Sequence, residues 1–406
     1  MVQRRCRRHF LAIALVLFCA ASVFYIRTPS KQSSQQGMVK VVSSGIKANP
    51  AAKNNGKTKL ILAYTRVYSV IFQEATYGRT IEEYKMLPEP LTTCEYRCKW
   101  SVSQSGYNIS DVVLFHLYNN LRVKDFVLGD LPTRHSLDQK WILMIREPPA
   151  FFLPQQLKLL NNKFNLTMTF QSDSDVSIPY GHYWNRDTVL EQLPEKYIKR
   201  KKMLLWLASN CITSSRREKY VEELSKHMPV VIRGRCGKPV RVEKNTYIEE
   251  FLLHIGPNFK FYLAFENSDC DEYITEKLWR SLMAGMIPIV RGQRAKYEKI
   301  APSNSYIHTD SFSSPKELAQ YLKRIAEDPT SFYRYHKWRL FYDVKYQKIT
   351  ANRFWMCDLC KQVDTSPTKT VDVYKHFSED TRCLAYLDDN VRNRTGENIE
   401  DITAKL

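Results

Sequence analysis

FYLAFENSDCDEYITEKLWRSLMAGMIPIV, residues 261–290, divides by composition into a strand, a loop, a helix and a second strand. Residues 261–265 are apolar and aromatic and of strand length, residues 275–284 are rich in helix formers, and residues 286–290 form a second apolar run with two isoleucines and a valine. Gly285 stands where the glycine that ends a helix belongs. The loop carries Glu266, Asn267, Ser268, Asp269, Asp271, Glu272 and Tyr273, with Thr275 placed to cap the helix and Glu276 and Lys277 in its first turn. In an α/β domain such a loop lies at the carboxyl end of a strand, where free N–H groups and the positive helix end suit a phosphate. Lys277 adds a full charge there. An ordinary βαβ unit with a capped helix and a solvated lysine fits the same spacing, so spacing alone leaves both readings open.

The wording of the stretch goes further. FYLAFEN, then DEYITEKLWR, then AGMIPIV closely resembles the donor-binding signature of the α-1,3-fucosyltransferase family, without a gap. The resemblance implies an α/β chain of GT-B architecture, two Rossmann-like doubly wound domains with GDP-fucose bound in the C-terminal one. It also implies roles for the loop: Lys277 on the diphosphate, Glu276 on the ribose, Tyr273 and Asn267 against the nucleotide sugar, and Glu266 orienting the loop or approaching the fucose.

The remaining sequence is consistent with that expectation. A chain of 406 residues, 44% apolar and 12% aromatic, is long enough for two domains with proper cores. The net charge of +19 favours acidic partners: nucleic acid, an anionic membrane or a nucleotide-sugar diphosphate. No zinc-finger spacing, RNP-like motif or dense basic helix apart from residues 4–8 is present, so no nucleic-acid partner is expected.

Arg4, Arg5, Arg7 and Arg8 precede an uncharged apolar run at 10–26. This reads as a signal anchor with a cytosolic tail at 1–9, at the short end for a spanning helix and suited to a thin early-secretory bilayer. A cleaved signal peptide is the alternative, since Cys19, Ala20, Ala21 and Ser22 are small, but the apolar run continues past them to Ile26. Residues 27–57, rich in Ser, Gln, Lys, Gly and Asn, read as a flexible stem. Asn108, Asn165 and Asn393 each begin an Asn-X-Ser/Thr triplet and are candidate glycosylation sites. With the resemblance, the layout is that of a single-pass type II Golgi membrane protein with a luminal body.

Within the body, strand-like runs at 59–64, 111–116 and 141–145 suggest core strands, and the third leads into Arg146, Glu147, Pro148 and Pro149. Glu147 is the candidate base. Moving fucose from a β-linked nucleotide to an α-linked product requires inversion, with a carboxylate deprotonating the acceptor hydroxyl as it attacks. In the family a Glu before a Ser-Pro pair is proposed for that role; here Pro148 replaces the Ser, and Ala150, Phe151 and Phe152 replace residues that are often polar. NLTMTFQSDSDVSIPY, residues 165–180, resembles a family stretch with an Asp-Ser-Asp triplet before Pro-Tyr. Asp173 and Asp175 could hold a metal in a GT-A enzyme, but the surrounding words match a family whose triplet is not known as a metal site, so no metal and no cofactor are expected. The charged segment 191–202 marks a boundary between an acceptor domain at 58–195 and a donor domain at 196–360, with 361–406 as a C-terminal extension. The donor domain opens on another strand, polar turn and helix, where Arg217, with Arg216 beside it, is matched by the family to the diphosphate; its planar fork suits that role.

Eight cysteines lie in the body. Cys94 with Cys98 and Cys357 with Cys360 have short spacings that fit a redox pair or half a zinc site. The resemblance implies instead that the C-terminal CxxC is tied by disulfides to the N-terminal pair, and that Cys211 could pair with Cys236; Cys270 and Cys383 have no obvious family partner. The expected activity is α-1,3 transfer of fucose from GDP-fucose to a GlcNAc residue of a glycoprotein glycan. A protein O-fucosyltransferase, a metal-dependent GT-A-like enzyme and a non-catalytic luminal glycan-binding protein are the alternatives.

Overall fold

The structure, a computed structural model, describes residues 58–64, 94–101, 103–117, 131–240, 248–346, 353–378 and 382–384. The expected tail, anchor and stem, Asn393 and the end of the chain lie outside the described residues. Strands β1 (Lys59–Ala63), β2 (Cys98–Ser101), β3 (Val112–Leu117), β4 (Lys140–Ile145), β5 (Leu166–Thr169) and β6 (Val176–Ser177) form a parallel sheet in the order β2-β1-β3-β4-β5-β6. After β7 (Gly181–Asn185), a second parallel sheet is built from β8 (Lys202–Leu207), β9 (Val230–Arg233), β10 (Phe259–Leu263), β11 (Ile287–Val290) and β12 (Ile307–His308), in the order β12-β11-β10-β8-β9. The protein is thus α/β with two parallel sheets. A last strand, β13 (Tyr342–Tyr346), returns to pair antiparallel with β7, Tyr342 opposite Asn185 and Tyr346 opposite Gly181, a pairing the sequence reading lacks.

Helices α1 (Pro154–Leu159), α2 (Arg217–His227), α3 (Ile248–Ile255), α4 (Glu276–Met283), α5 (Arg294–Ile300), α6 (Pro315–Glu327), α7 (Pro329–Arg334), α8 (Arg353–Thr365) and α9 (Val373–His376) cover the sheets. Alternation along each strand decides which face a side chain meets. In the second sheet Leu204, Trp206, Phe261, Leu263 and Ile287 pack under Val221 and Leu224 of α2 and Leu318 and Leu322 of α6. Leu205 and Tyr262 face Leu278, Trp279 and Leu282 of α4. In the first sheet Ile61, Val112, Leu114, Ile142 and Met144 meet Trp355, Met356, Leu359 and Val363 of α8. The opposite face, with Val113, Phe115, Leu143 and Ile145, meets Leu157 of α1, Val373 of α9 and Phe377.

Helices α8 and α9 therefore belong with the first sheet, and the described part of the stretch expected as an extension from 361 is part of its covering. Lys140 Nζ donates to the carbonyls of Val363 (2.8 Å) and Ser366 (2.7 Å). Disulfides Cys94–Cys357 and Cys98–Cys360 fasten α8 to the sheet edge, and Cys211 bonds Cys236, all as the resemblance implied. Cys270 and Cys383, left without partners by the sequence, are bonded to each other.

One glycosylation candidate is corrected. Asn165 is buried: its Oδ1 accepts from Trp141 N (2.8 Å) and Arg134 Nη1 (2.7 Å), and its Nδ2 donates to Lys369 O (2.8 Å). An amide nitrogen so used cannot receive a glycan without taking this junction apart. Asn108 is exposed, on the short 3-10 helix Gln104–Ile109.

β7 lies close against α4. A Cβ placed on Gly181 would stand 2.3 Å from the indole ring of the fully buried Trp279. Gly181→Ala is expected to destabilise the protein by about 1–3 kcal/mol, because a buried ring in a packed core has nowhere to go. Thermal denaturation tests this; an unchanged melting temperature contradicts it.

Candidate active site

β10 ends at Leu263, and the chain stays buried through Ala264 and Phe265 before the first polar residue, Glu266. The Glu266 side chain is 2% exposed. Its carboxylate accepts from Thr275 N (2.8 Å), Thr275 Oγ1 (2.9 Å) and Lys277 Nζ (2.8 Å). Thr275 occupies the N-cap position of α4, but its hydroxyl serves Glu266 rather than capping the helix, which corrects that expectation. Lys277 Nζ also donates to Thr275 Oγ1 (2.7 Å) and Glu276 Oε1 (3.1 Å), so its three protons are all directed. Gly285 ends the unit with φ +74°, the left-handed conformation expected of it.

Burial works against every charge in this cluster, and the charges answer one another. For Lys277, burial is outweighed by Glu266 and Glu276, which hold its pKa above the usual lysine range. For Glu276, burial is outweighed by Lys277 and Arg280, which hold its carboxyl down at about 2. For Glu266, burial prevails and raises the carboxyl, with Lys277 opposing.

Arg217, the first residue of α2, is buried, and its Nη1 and Nη2 donate to the carbonyls of Phe265 (2.7 Å) and Asn210 (3.0 Å). It ties the start of one helix to the end of β10. Its Nε and the Oδ1 of Asn267 are buried without a hydrogen-bond partner among the described residues. The strand-end loops are further stitched by Ser215 Oγ to Glu266 O (2.7 Å), Ser214 Oγ to Ser268 Oγ (2.9 Å) and Arg291 Nη1 to Ser215 O.

Glu147 follows β4 of the first sheet and is half-buried. Burial raises its carboxyl, Lys277 lowers it, Glu276 raises it and Arg146 lowers it. Glu147 therefore lies within electrostatic reach of the cluster at the start of α4, although the two come from different sheets. Tyr180 lies between them: its hydroxyl donates to Arg146 O (2.5 Å), Arg146 stacks over its ring at 4.1 Å, and the ring meets Tyr273 edge-on at 6.0 Å. Tyr273 is buried and also packs on Phe170 (5.2 Å). Sequence reasoning gave Tyr180 no role, although it ends the Pro-Tyr pair of a recognised stretch. The sequence reading gives Asp269 a place in the loop but no role, and gives none to Arg291, which lies 4.0 Å from it.

The Asp-Ser-Asp triplet is occupied within the chain. Asp175 Oδ2 accepts from Thr167 N (2.8 Å) while Lys369 pairs with its other oxygen, and Asp173 pairs with Arg382 (2.5 Å). These carboxylates fasten the returning C-terminal segment to β5. Among the described residues no group of three or more His, Cys, Asp or Glu side chains is placed to hold a metal ion.

Asp269, in the loop after β10, has a carboxyl pushed up to about 7 by burial, against the pull of Arg291 at 4.0 Å. The folded pKa lies above the ordinary 3.8. The folded state thus binds this proton more tightly than the unfolded chain, and stability from this group is full below about pH 4 and is lost as pH rises toward 7. Asp269→Asn, which mimics the protonated form, is expected to melt higher than the parent by a margin that widens between those limits. A margin independent of pH contradicts this.

Residues 56–181 match the family model for the fucosyltransferase N-terminal region, and residues 197–379 match that for the glycosyltransferase family 10 (fucosyltransferase) C-terminal region. The chain is 34% identical over 267 residues to human 3-galactosyl-N-acetylglucosaminide 4-alpha-L-fucosyltransferase FUT3, covering 65% of this chain and 69% of that protein. It is 31% identical over 365 residues to mouse 4-galactosyl-N-acetylglucosaminide 3-alpha-L-fucosyltransferase 9, covering 88% and 92%. Among solved structures, an alpha1,3-fucosyltransferase with GDP-fucose is 16% identical over 84% of this chain and 95% of that one, with a TM-score of 0.47.

Proposed function

The chain belongs to glycosyltransferase family 10, the fucosyltransferases, and from that membership we propose an inverting enzyme that moves L-fucose from GDP-β-L-fucose, in α-1,3 linkage, to a GlcNAc residue of a glycoprotein glycan. Relatives named for 4-transfer (34% identical over 65% of this chain) and for 3-transfer (31% over 88%) both match, and the α-1,3 reading follows the relative similar along the larger share of the chain. The observation that carries the site is that Lys277 and Glu276, at the start of α4, act electrostatically on Glu147 after β4, with Tyr180 packed against both Arg146 and Tyr273.

In this reading Glu147 takes the proton of the acceptor hydroxyl as that oxygen bonds to the anomeric carbon and the bond to GDP breaks. Negative charge grows on the departing diphosphate, next to Lys277 and the N-terminus of α4. Lys277 is held charged by Glu266 and Glu276 before the donor arrives. Glu276 then exchanges its lysine contact for ribose hydroxyls, freeing one N–H for a phosphate oxygen. Asn267 and Arg217 offer the nucleotide the buried polar atoms that lack hydrogen-bond partners among the described residues. Tyr273 closes the floor beneath the sugar.

The proposal includes a GT-B arrangement, with an acceptor domain at 58–195 to which the helix Arg353–Thr365 returns and a donor domain built on the second sheet from 196, carried on a Golgi anchor at 10–26 and a stem at 27–57. No metal takes part. The test is GDP release from GDP-fucose over a panel of lactosamine, N-glycan and folded-protein acceptors, with and without EDTA. Acceptor-dependent release that survives EDTA supports the proposal. Loss of activity in EDTA, restored by added Mn²⁺, overturns the metal-free mechanism; release only with a folded protein domain overturns the glycan acceptor.

A further inference from the structure

A groove of about 680 Å³ opens on the second sheet away from the site above. Pro302, Ser303 and Asn304, on its rim, feed the start of β12, whereas Glu266 follows the carboxyl end of the parallel strand β10. The groove therefore sits where the strands begin, at the opposite end of the sheet from the donor loop.

Its wall is built of rings: Tyr183, Tyr335, Trp338, Phe341 and Tyr342. Tyr183 and Tyr342 meet edge-on at 5.3 Å, and Phe341 is 44% exposed. Three cations complete the lining: Arg324, Arg334 and Lys337, all exposed. None of the described lining residues is acidic. Asp328, the carboxylate that acts on Arg334, caps α7 outside the groove. Arg324 lies 5.3 Å from the ring of Tyr321, whose hydroxyl is shared with that of Tyr335 (2.6 Å). Trp338 is 5% exposed, and its indole N–H is buried without a partner among the described residues.

We propose that this groove binds an acidic saccharide, a sugar ring bearing a carboxylate, at a site separate from fucosyl transfer. The groove has the size and aromatic lining of a small-ligand site. Exposed aromatic faces take the apolar face of a pyranose while tyrosine hydroxyls take its oxygens. Arginine forks bind carboxylate through charge-assisted hydrogen bonds. The lining carries three exposed cations and no acidic residue, a charge balance that a carboxylate complements and a neutral or apolar ligand does not.

Binding is read without turnover, so the test is independent of the transfer reaction. The purified full-length chain in non-ionic detergent is titrated by calorimetry with 3′-sialyllactose and with lactose, each with and without saturating GDP. The acidic sugar is expected to bind at least ten-fold more tightly than lactose and to be unaffected by GDP. The double variant Arg334→Ala, Lys337→Ala, at exposed positions, should lose that ten-fold preference with an unchanged melting temperature, and Phe341→Ala, which removes the exposed ring of the wall, should weaken binding several-fold. Equal binding of the two sugars, displacement by GDP, retention of the preference in the double variant, or equal competition by inorganic sulfate would each overturn the assignment.

Discussion

Glu147→Gln is expected to lower acceptor-dependent GDP release by about 10²–10⁴-fold, the range spanned by positioned general bases. The substitution keeps the shape of the side chain and removes its charge. Donor affinity should change little, since the deprotonation happens only as the acceptor attacks, so the loss appears in kcat rather than in the KM for GDP-fucose. Burial, the largest influence on Glu147, raises its carboxyl, so the parent enzyme should lose activity on the acid side at a pH above the usual carboxylate range. Steady-state kinetics over pH, with donor binding measured separately, test both statements. A variant that keeps a tenth or more of the parent kcat removes Glu147 from the role of base.

Lys277→Ala should fail in two separable ways. Removing the fixed cation beside the leaving diphosphate is expected to cost about 10²–10³-fold in kcat. It also leaves Glu266, 2% exposed, and Glu276 without their shared lysine. An ion left buried and uncompensated destabilises by about 3–5 kcal/mol. The double variant Lys277→Ala, Glu266→Gln should therefore recover much of the melting temperature and none of the rate. If the second substitution restores turnover as well, Lys277 serves the fold alone.

The strand, loop, helix and strand unit from Phe259 to Val290 is the most legible part of the chain because its signals are local. Two apolar runs, a polar loop and Gly285 follow one another within thirty residues, and each has a short-range cause. The strand lies slightly earlier than expected, at Phe259–Leu263, because pairing with β8 starts at Phe259. Glu147 was found by its position after an apolar run and by a family word. What stayed hidden depends on partners far along the chain. Nothing near Asn165 foretells that Lys369 will bury its amide, and nothing near Cys270 names Cys383. The pairing of β7 with β13 joins residues about 160 positions apart and leaves no period in either strand that requires the other. Tyr180 belongs with these, since its value lies in meeting Arg146 from one sheet and Tyr273 from the loop of the other.

The return of α8 to the first sheet has a consequence for how the protein is made. Cys94 is separated from Cys357 by 263 residues, and among the described residues the helix that covers one face of β1, β3 and β4 is the same late one. At a synthesis rate of about 5–20 residues per second, that face stays bare for roughly ten seconds or more after its strands emerge. The second sheet, whose covering helices lie close to its strands in sequence, can meanwhile close by itself. A nascent chain interrupted before Trp355 would present an open apolar surface and unpaired thiols, so premature termination even near the C-terminus should yield a species retained by chaperones rather than a shortened enzyme.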